Sequence, residues 1–414
     1  MFGCTARLFL VPEQLDVAIV GAGPFGLSVA AWLDDRHARV FGAPMHTWRT
    51  LMPPDMLMRS AWEETSLSAR GGRGSIDEWI AASGAIKQEP IPLALFLQYA
   101  EWFRERFVPA HDAANVEYLE PSTEGYRLQT TTGDEFDART VVVAVGVTPF
   151  PFAPPLFERV LGGGRVEHAV AQRSFSELRG QRVLVVGAGQ AGLETAALAA
   201  DAGAEVEVLA RSRVNWFADR EPHRPRGPIA KRLYRLSYPV VGYGPPPINR
   251  LALHPDAFAA LPAGLRRKIT ERLLRAGGSP WVRSMVEGRV RLTEGAAVTA
   301  VADDGDAVTL KLSDGTSRIA DRILLATGYR FSLDRLDWLA EAARSRIRVD
   351  RGWPVLDRSF RSTDPGVHFV GYPAEGRFGP VSRFVLGADF SARRVRAGLE
   401  RADETGAMAQ GRRA

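Results

Sequence analysis

The sequence has almost no cysteine. Cys4 is the single thiol in 414 residues, whereas a dithiol redox centre needs two thiols in one site. A CxxC reductase centre and a thiolate metal cluster are therefore excluded, and Cys4 itself reads as inert. Long apolar runs are missing as well. No stretch approaches the roughly 18 apolar residues that span a bilayer, so no membrane segment is expected. The opening residues, MFGCTARLFLVPEQLDVAIV, lack the basic start, full apolar core and small-residue cleavage site of a secretory signal. A cytoplasmic location is the expectation. The net charge of +5 comes almost entirely from scattered arginines, without the Lys/Arg block of a nucleic-acid-binding tail. An Arg-, Ala- and Gly-rich composition of this kind reads as bias, and no nucleic-acid partner is expected.

What the sequence does have is the balance of a globular protein, 45% hydrophobic and 24% charged, at a length sufficient for two cores. Residues 16–42 read as strand, glycine turn, helix, strand. DVAIV is a short apolar run of the buried parallel type, GAGPFG is the turn, LSVAAWLDD suits a helix and RVF is the next strand. The order recurs over 181–211 as RVLVV, GAGQAG, LETAALAADAG and EVEVLA. Two copies of a βαβ unit predict two nucleotide-binding domains rather than a solenoid array.

The remaining segments fit this plan. TVVVAVG (140–146) and RILLATG (322–328) read as strands that close a unit, and VTLKLSDGTSRI as a hairpin around its Asp-Gly turn. GVHFVGY reads as another buried strand and SRFVLGADFSARRVRAGLE as a helix, with the last ten residues frayed. LFLQYAEWFRERF carries apolar residues at helical spacing and reads as core. The expected fold class is α/β with two Rossmann-like dinucleotide-binding domains. One is discontinuous, over 12–170 and 321–404, and the other, over 175–320, is inserted into it. Within the inserted domain the Pro-rich basic stretch 215–280 is either an insertion carrying substrate contacts or a solvated surface loop.

Each glycine turn follows an apolar strand and opens a helix, which is the context a G-x-G-x-x-G motif requires. Gly21 and Gly187 allow the tight turn, Gly23 and Gly189 let a diphosphate approach the backbone, and Gly26 and Gly192 let the helix pack close. The diphosphate then lies against free N–H groups where the helix dipole favours negative charge. Pro24, Phe25, Gln190 and Ala191 fill the turns. At the end of the second strand, an acid binds ribose hydroxyls and an arginine accommodates a 2′-phosphate. In the second unit Glu207 lies within the strand, and Arg211 and Arg213 follow it, which favours NADPH over NADH. In the first unit Gly42 stands where the acid is usual, so the adenosine ribose is held by backbone or by Trp48 and Arg49.

With these pieces assembled, the chain resembles the single-component flavin-dependent monooxygenases, and within them FAD-dependent urate hydroxylase-like proteins and the lysine and ornithine N-hydroxylases. The resemblance rests on GAGPFG, MPPDMLMRSAWE (52–63), LFLQYAEWF (95–103), GAGQAG, ATGYR (326–330) and GPVSRFVLGADF (379–390). The FxGxxxHxxxF/Y signature of the flavin-containing and Baeyer–Villiger branches survives only as Gly164 and His168, with Gly162 and Gln172 at its aromatic positions. His168 then reads as a structural histidine.

The resemblance implies FAD at the first turn and NADPH, rather than NADH, at the second, the NADPH domain being inserted into a discontinuous FAD domain. It implies hydroxylation of a small molecule at nitrogen or carbon with O₂, through a C4a-(hydro)peroxyflavin. The alternative is an NAD(P)H oxidase or flavin-dependent reductase without oxygen insertion, and a third reading is a non-enzymatic flavin/nicotinamide-binding sensor. Arg59, Ser60 and Trp62 are the flavin-proximal candidates. Gly146 is expected at the FAD diphosphate, Thr327 and Gly328 near the dinucleotides, and Gly379 and Pro380 before a helix whose N–H groups face the flavin. Gly371-Tyr372 replaces the usual Gly-Asp pair. No acid–base triad and no metal site are expected.

Overall fold

The computed structural model describes residues 12–108, 110–217 and 248–411, so Cys4 and residues 218–247 of the expected insertion lie outside the described residues. The chain folds into two compact units, one of residues 1–46, 64–146 and 332–414, the other of residues 47–63 and 147–331.

The first unit is built on β1 (Glu13–Val20), whose last four residues are all buried, as a central parallel strand demands. It pairs in parallel with β2 (Ala38–Phe41) and with β6 (Glu135–Val143). Beyond β2 lies the short β3 (His111–Asp112), and beyond β6 run β5 (Gly125–Thr130) and β4 (Val116–Ser122) as an antiparallel meander. Helix α1 (Pro24–Trp32) starts with proline in its first turn, where the missing N–H costs nothing, and buries seven of its nine residues. Helix α2 (Ile76–Ser83) is capped by the Ser75 hydroxyl, which accepts from Glu78 N at 3.1 Å. Helix α3 (Leu93–Phe107) buries Leu95, Phe96, Tyr99, Phe103 and Phe107 along one face, so its aromatic stretch is core, as its spacing predicts.

The second unit carries a five-stranded parallel sheet in the order β10-β9-β8-β14-β7. Its strands are β7 (Val166–His168), β8 (Arg182–Val186), β9 (Glu205–Ala210), β10 (Arg291–Glu294) and β14 (Arg322–Leu325). Between them β12 (Val308–Leu312) and β13 (Ser317–Ala320) form the expected hairpin around the Asp-Gly turn, and β11 (Val298–Asp303) pairs antiparallel on its other side. Helix α4 (Gln190–Asp201) follows β8 and packs Leu193, Ala196, Ala197 and Ala199 into the core with Val183, Val185, Val206 and Val208.

The chain then returns to the first unit through the small ribbon of β15 (Val349–Asp350) and β16 (Trp353–Pro354). Strand β17 (Val367–Phe369) pairs in parallel with the end of β6. The C-terminal helix Gly387–Gly411 packs on α1, and Arg396 donates to the last carbonyl of α1, Trp32 O, at 2.6 Å while pairing with Asp35.

Four expectations are corrected. Residues 147–170 and 321–331 belong to the second unit, because β7 and β14 pair side by side next to β8. Residues 47–63 belong there too. The described part of the stretch 215–280 is not simply a surface loop: it holds helices at Ile248–Ala252, Pro255–Ala260 and Ala263–Leu273. The terminal helix continues to Gly411 where fraying was expected.

On β17, His368 is 2% exposed and its Nδ1–H donates to Ser359 O at 3.0 Å. Burial pushes its imidazole down to about 4. The folded protein therefore resists a proton that the unfolded chain accepts near its ordinary value of 6.5. This stability is complete above pH 6.5 and lost as pH falls toward 4, by about 3 kcal/mol. Chemical denaturation of His368→Asn across that window should show a flatter acid limb than the parent, and an unchanged limb would reject the assignment.

Candidate dinucleotide sites

The two glycine turns are built alike, bond for bond. Gly21 N donates to Phe41 O at 2.9 Å and Gly187 N to Leu209 O at 3.0 Å. Ala144 N donates to Val20 O at 2.8 Å and Ala326 N to Val186 O at 2.9 Å, while Leu27 N and Leu193 N close the first helical turns on Gly23 O and Gly189 O.

Each glycine has its own reason to lack a side chain. Gly21 and Gly187 have φ of +112° and +118°, and a Cβ on either would lie 2.5 or 2.4 Å from the carbonyl oxygen of Ala144 or Ala326. A Cβ on Gly26 or Gly192 would lie 1.9 or 2.1 Å from the carbonyl oxygen of Gly21 or Gly187. Gly23 has nothing within 4 Å, and Gly189 only Ala276 Cβ at 3.6 Å. First and third glycines thus serve backbone crossing, and the second leaves an open face beside the first-turn N–H groups of α1 and α4. That is the shape and charge preference of a diphosphate cradle, so the residues present fit a dinucleotide in both units. Ala144 and Ala326 were missed by motif reading, although each precedes x-Gly at a strand end. Gly146 and Gly328 follow with φ of +68° and +84° and open space around them.

The matching hydrogen bonds also align the strand ends. Phe41 corresponds to Leu209, so Gly42 corresponds to Ala210 and neither position carries a ribose acid. Glu207 is not that acid. It is buried in mid-strand, accepts from Arg318 Nε at 2.9 and 3.0 Å and from Thr293 Oγ1 at 2.6 Å, and is fully engaged. Arg211 and Arg213 follow the strand end with exposed side chains.

Side chains around the second turn are committed to structure. Gln190 Nε2 donates to Glu194 Oε1 at 2.6 Å, and its Oε1 accepts from Ser279 N at 2.7 Å. One N–H of Nε2 and the backbone N–H at the start of α4 are the Gln190 donors left beside the turn. Burial raises the Glu194 carboxyl to about 7, opposed by the Gln190 hydrogen bond and the charge of Arg59. Arg59 is exposed and lies over the Phe217 ring at 4.9 Å, Ser60 is half-buried, and Trp62 is buried. Trp48 and Arg49 sit on a π-helical turn, Thr47–Leu51, in this same unit. Thr327 donates its hydroxyl to Phe152 O, and Gly328 O accepts from Phe152 N at 2.9 Å. His168 Nδ1 accepts from Val170 N, so its Nε2–H donates to Gly328 O at 3.0 Å. This is the structural role expected of His168.

In the first unit, Phe25 is a packing wedge: Cβ atoms on Gly371 and Gly387 would each lie 3.3 Å from its ring. Gly379 and Pro380 do not open the long helix. They open a 3₁₀ turn, Pro380–Arg383, and the helix begins at Gly387, because Phe384 is extended and the chain crosses Val381 O at Gly387. Within this segment Arg383 pairs with buried Glu375 and lies over the Tyr372 ring at 4.8 Å. Burial holds the Glu375 carboxyl above its ordinary value despite the opposing charge of Arg383. Among the described residues no cluster of His, Cys, Asp and Glu suits a metal ion, and no helix is long and apolar enough to cross a membrane.

The glycine roles separate experimentally. Gly26→Ala should cost about 3 kcal/mol or more by driving Cβ into backbone. Gly23→Ala, at a φ of −85° with open space, should cost no more than about 1 kcal/mol while releasing the bound dinucleotide. Melting curves read beside dinucleotide retention check both, and an equal melting loss in the two variants would contradict the division.

Comparison with known proteins agrees with this geometry. The probable indole-3-pyruvate monooxygenase YUCCA1 of Arabidopsis thaliana is 25% identical over 317 residues, 69% of this chain and 69% of that protein. The indole-3-pyruvate monooxygenase YUCCA1 of Oryza sativa subsp. japonica is 24% identical over 395 residues, 88% of each. Among solved structures, the ornithine N-hydroxylase of Kutzneria sp. 744, described with reduced FAD, NADP⁺ and L-ornithine, superposes with a TM-score of 0.73 at 19% identity, over 94% of this chain and all of its own. The α/β fold is shared with that enzyme. The family model for pyridine nucleotide-disulphide oxidoreductases matches residues 15–221, half of the 414 residues and both glycine turns. The chain belongs to the pyridine nucleotide-disulphide oxidoreductase family.

Proposed function

We propose that this chain is an FAD- and NADPH-dependent monooxygenase, with FAD at the first turn and NADPH at the second, hydroxylating a small molecule at nitrogen or carbon with O₂. The observation that carries the reading is the pairing of two dinucleotide cradles with a single cysteine. One thiol cannot form the intramolecular disulfide that takes electrons from a reduced flavin in dithiol enzymes, so the electrons leave to an external acceptor. The relatives described as indole-3-pyruvate monooxygenases support O₂ as that acceptor.

When bound, FAD supplies the electron chemistry, taking hydride from NADPH and reacting with O₂. The chain's own residues bind and orient. The N–H groups that open α1 and α4 hold the diphosphates. Ala210 leaves no carboxylate to repel a 2′-phosphate, and Arg211 and Arg213 offer it two guanidinium groups. Glu207, spent on Arg318 and Thr293, does not compete.

Two measurements test the reading. Arg211→Ala should raise the KM for NADPH about tenfold or more, on the scale of a charge-assisted hydrogen bond, with the KM for NADH nearly unchanged. Equal effects would reject the phosphate-reading role. For the reaction, a panel of small amines and aromatic carboxylic acids is incubated with enzyme, NADPH and ¹⁸O₂. NADPH consumption with transfer of one labelled oxygen to a product is the expected result. NADPH consumption with label only in peroxide or water would favour the NAD(P)H oxidase reading.

A further inference from the structure

The first unit has no acid at the end of β2, and its backbone explains why. Gly42 has a φ of +111°, in the region that side-chain-bearing L-residues rarely adopt. A ribose-binding carboxylate cannot be carried there without strain, which turns attention to the elements packed beside it. A Cβ built on Gly42 would point toward the glycine turn, 3.9 Å from Ala22 N and from Gly21 Cα, and its nearest atom would be Asn115 Oδ1 at 3.4 Å. The amide of Asn115 thus stands beside the place where a side chain at position 42 would start.

The loop that carries Asn115 is fixed on both sides. Strand β3 pairs with β2 through Val40–His111 and Phe41–Asp112. Gly42 N donates to Asp112 O at 2.9 Å, and the His111 ring meets Gly42 O at 2.8 Å. Asp112 Oδ1 accepts from Ala114 N at 2.8 Å, an Asx turn that brings the chain back toward Gly42. Asn115 O accepts from Thr131 N at 2.9 Å. The side chain of Asn115 is exposed, and no hydrogen bond engages its amide among the described residues, whereas Asp112 Oδ1 is already engaged by Ala114 N in the turn.

We infer that Asn115 replaces the missing acid and binds the adenosine ribose hydroxyls of the dinucleotide in the first unit. This rests on the reading of that turn as the FAD site. The amide oxygen accepts from a ribose hydroxyl and the amide N–H donates to a ribose oxygen, without adding charge beside the diphosphate.

FMN lacks the adenosine half and makes the test specific. The holoprotein and its Asn115→Ala and Asn115→Asp variants are diluted and the fluorescence of released FAD gives its Kd. The deflavinated proteins are titrated with FMN in parallel, and melting is recorded. Asn115→Ala should weaken FAD about tenfold, the scale of one or two hydrogen bonds, with FMN affinity and melting unchanged. Asn115→Asp should restore FAD affinity, because a carboxylate accepts from the same hydroxyls. An unchanged FAD Kd in Asn115→Ala, or an equal loss for FAD and FMN, would overturn the inference. Failure of the unmodified protein to bind FAD at all would overturn the FAD reading beneath it, which is a different result.

Discussion

Both units depend on how closely a helix can begin beside the strand that crosses beneath it. In each, the carbonyl oxygen of an alanine, Ala144 or Ala326, approaches a glycine to a distance at which no Cβ fits, and the third glycine of the turn is closed against the carbonyl of the first. The close packing of the starts of α1 and α4 against their sheets depends on that contact. If the strand were held back by one side chain, the helix N-terminus would no longer stand over the strand ends. A diphosphate would then meet fewer amide donors and a weaker dipole. The same crossing also explains why the second glycine alone is free of neighbours, or nearly so.

Once the cradle exists, the electrostatics are undemanding, and the selection of chemistry moves elsewhere. Amide groups and a helix dipole attract any diphosphate, so two like cradles do not by themselves distinguish FAD from NADPH or an oxygenase from a reductase. The scarcity of thiols narrows the choice. A family defined by disulphide chemistry here carries one cysteine, and the electrons that two dinucleotides exchange have no internal dithiol to reach. The buried polar groups near the cradles do not fill that gap. Gln190 is clamped between Glu194 and Ser279 N, and Glu207 is clamped by Arg318 and Thr293. They hold the framework that presents backbone to the ligand.

The strand–turn–helix pairs, the Asp-Gly hairpin and the core face of α3 were legible in the sequence, because each is set by local periodicity and turn chemistry. Domain boundaries were not. RILLATG reads as a strand that closes the first domain, yet β14 inserts between β8 and β7 in the second sheet. An apolar strand carries no mark of which sheet it will join. The same holds for side-chain commitments. Thr327 and Gln190 look like ligand contacts by position, and only the packed structure shows their polar atoms turned to Phe152 O, Glu194 and Ser279 N. Gly42 was legible as a departure, but its φ of +111° and the amide across from it were not, because Asn115 lies more than seventy residues away in the sequence.

The two strand ends are where otherwise equal cradles become different sites. At the second, Ala210 ends the strand with a small side chain and the chain runs on into exposed Arg211, so the strand end is neutral at residue 210 and positive just beyond. A 2′-phosphate gains from that arrangement, and a carboxylate at residue 210 would forfeit it by like-charge repulsion. At the first, the positive φ of Gly42 disfavours a side chain just past β2, and the loop after β3 places the Asn115 amide beside that position. The backbone conformation at one residue therefore decides whether recognition comes from the strand itself or from the loop next to it. Two copies of one motif in a single chain can in this way hold different dinucleotides while keeping the same hydrogen bonds at their base.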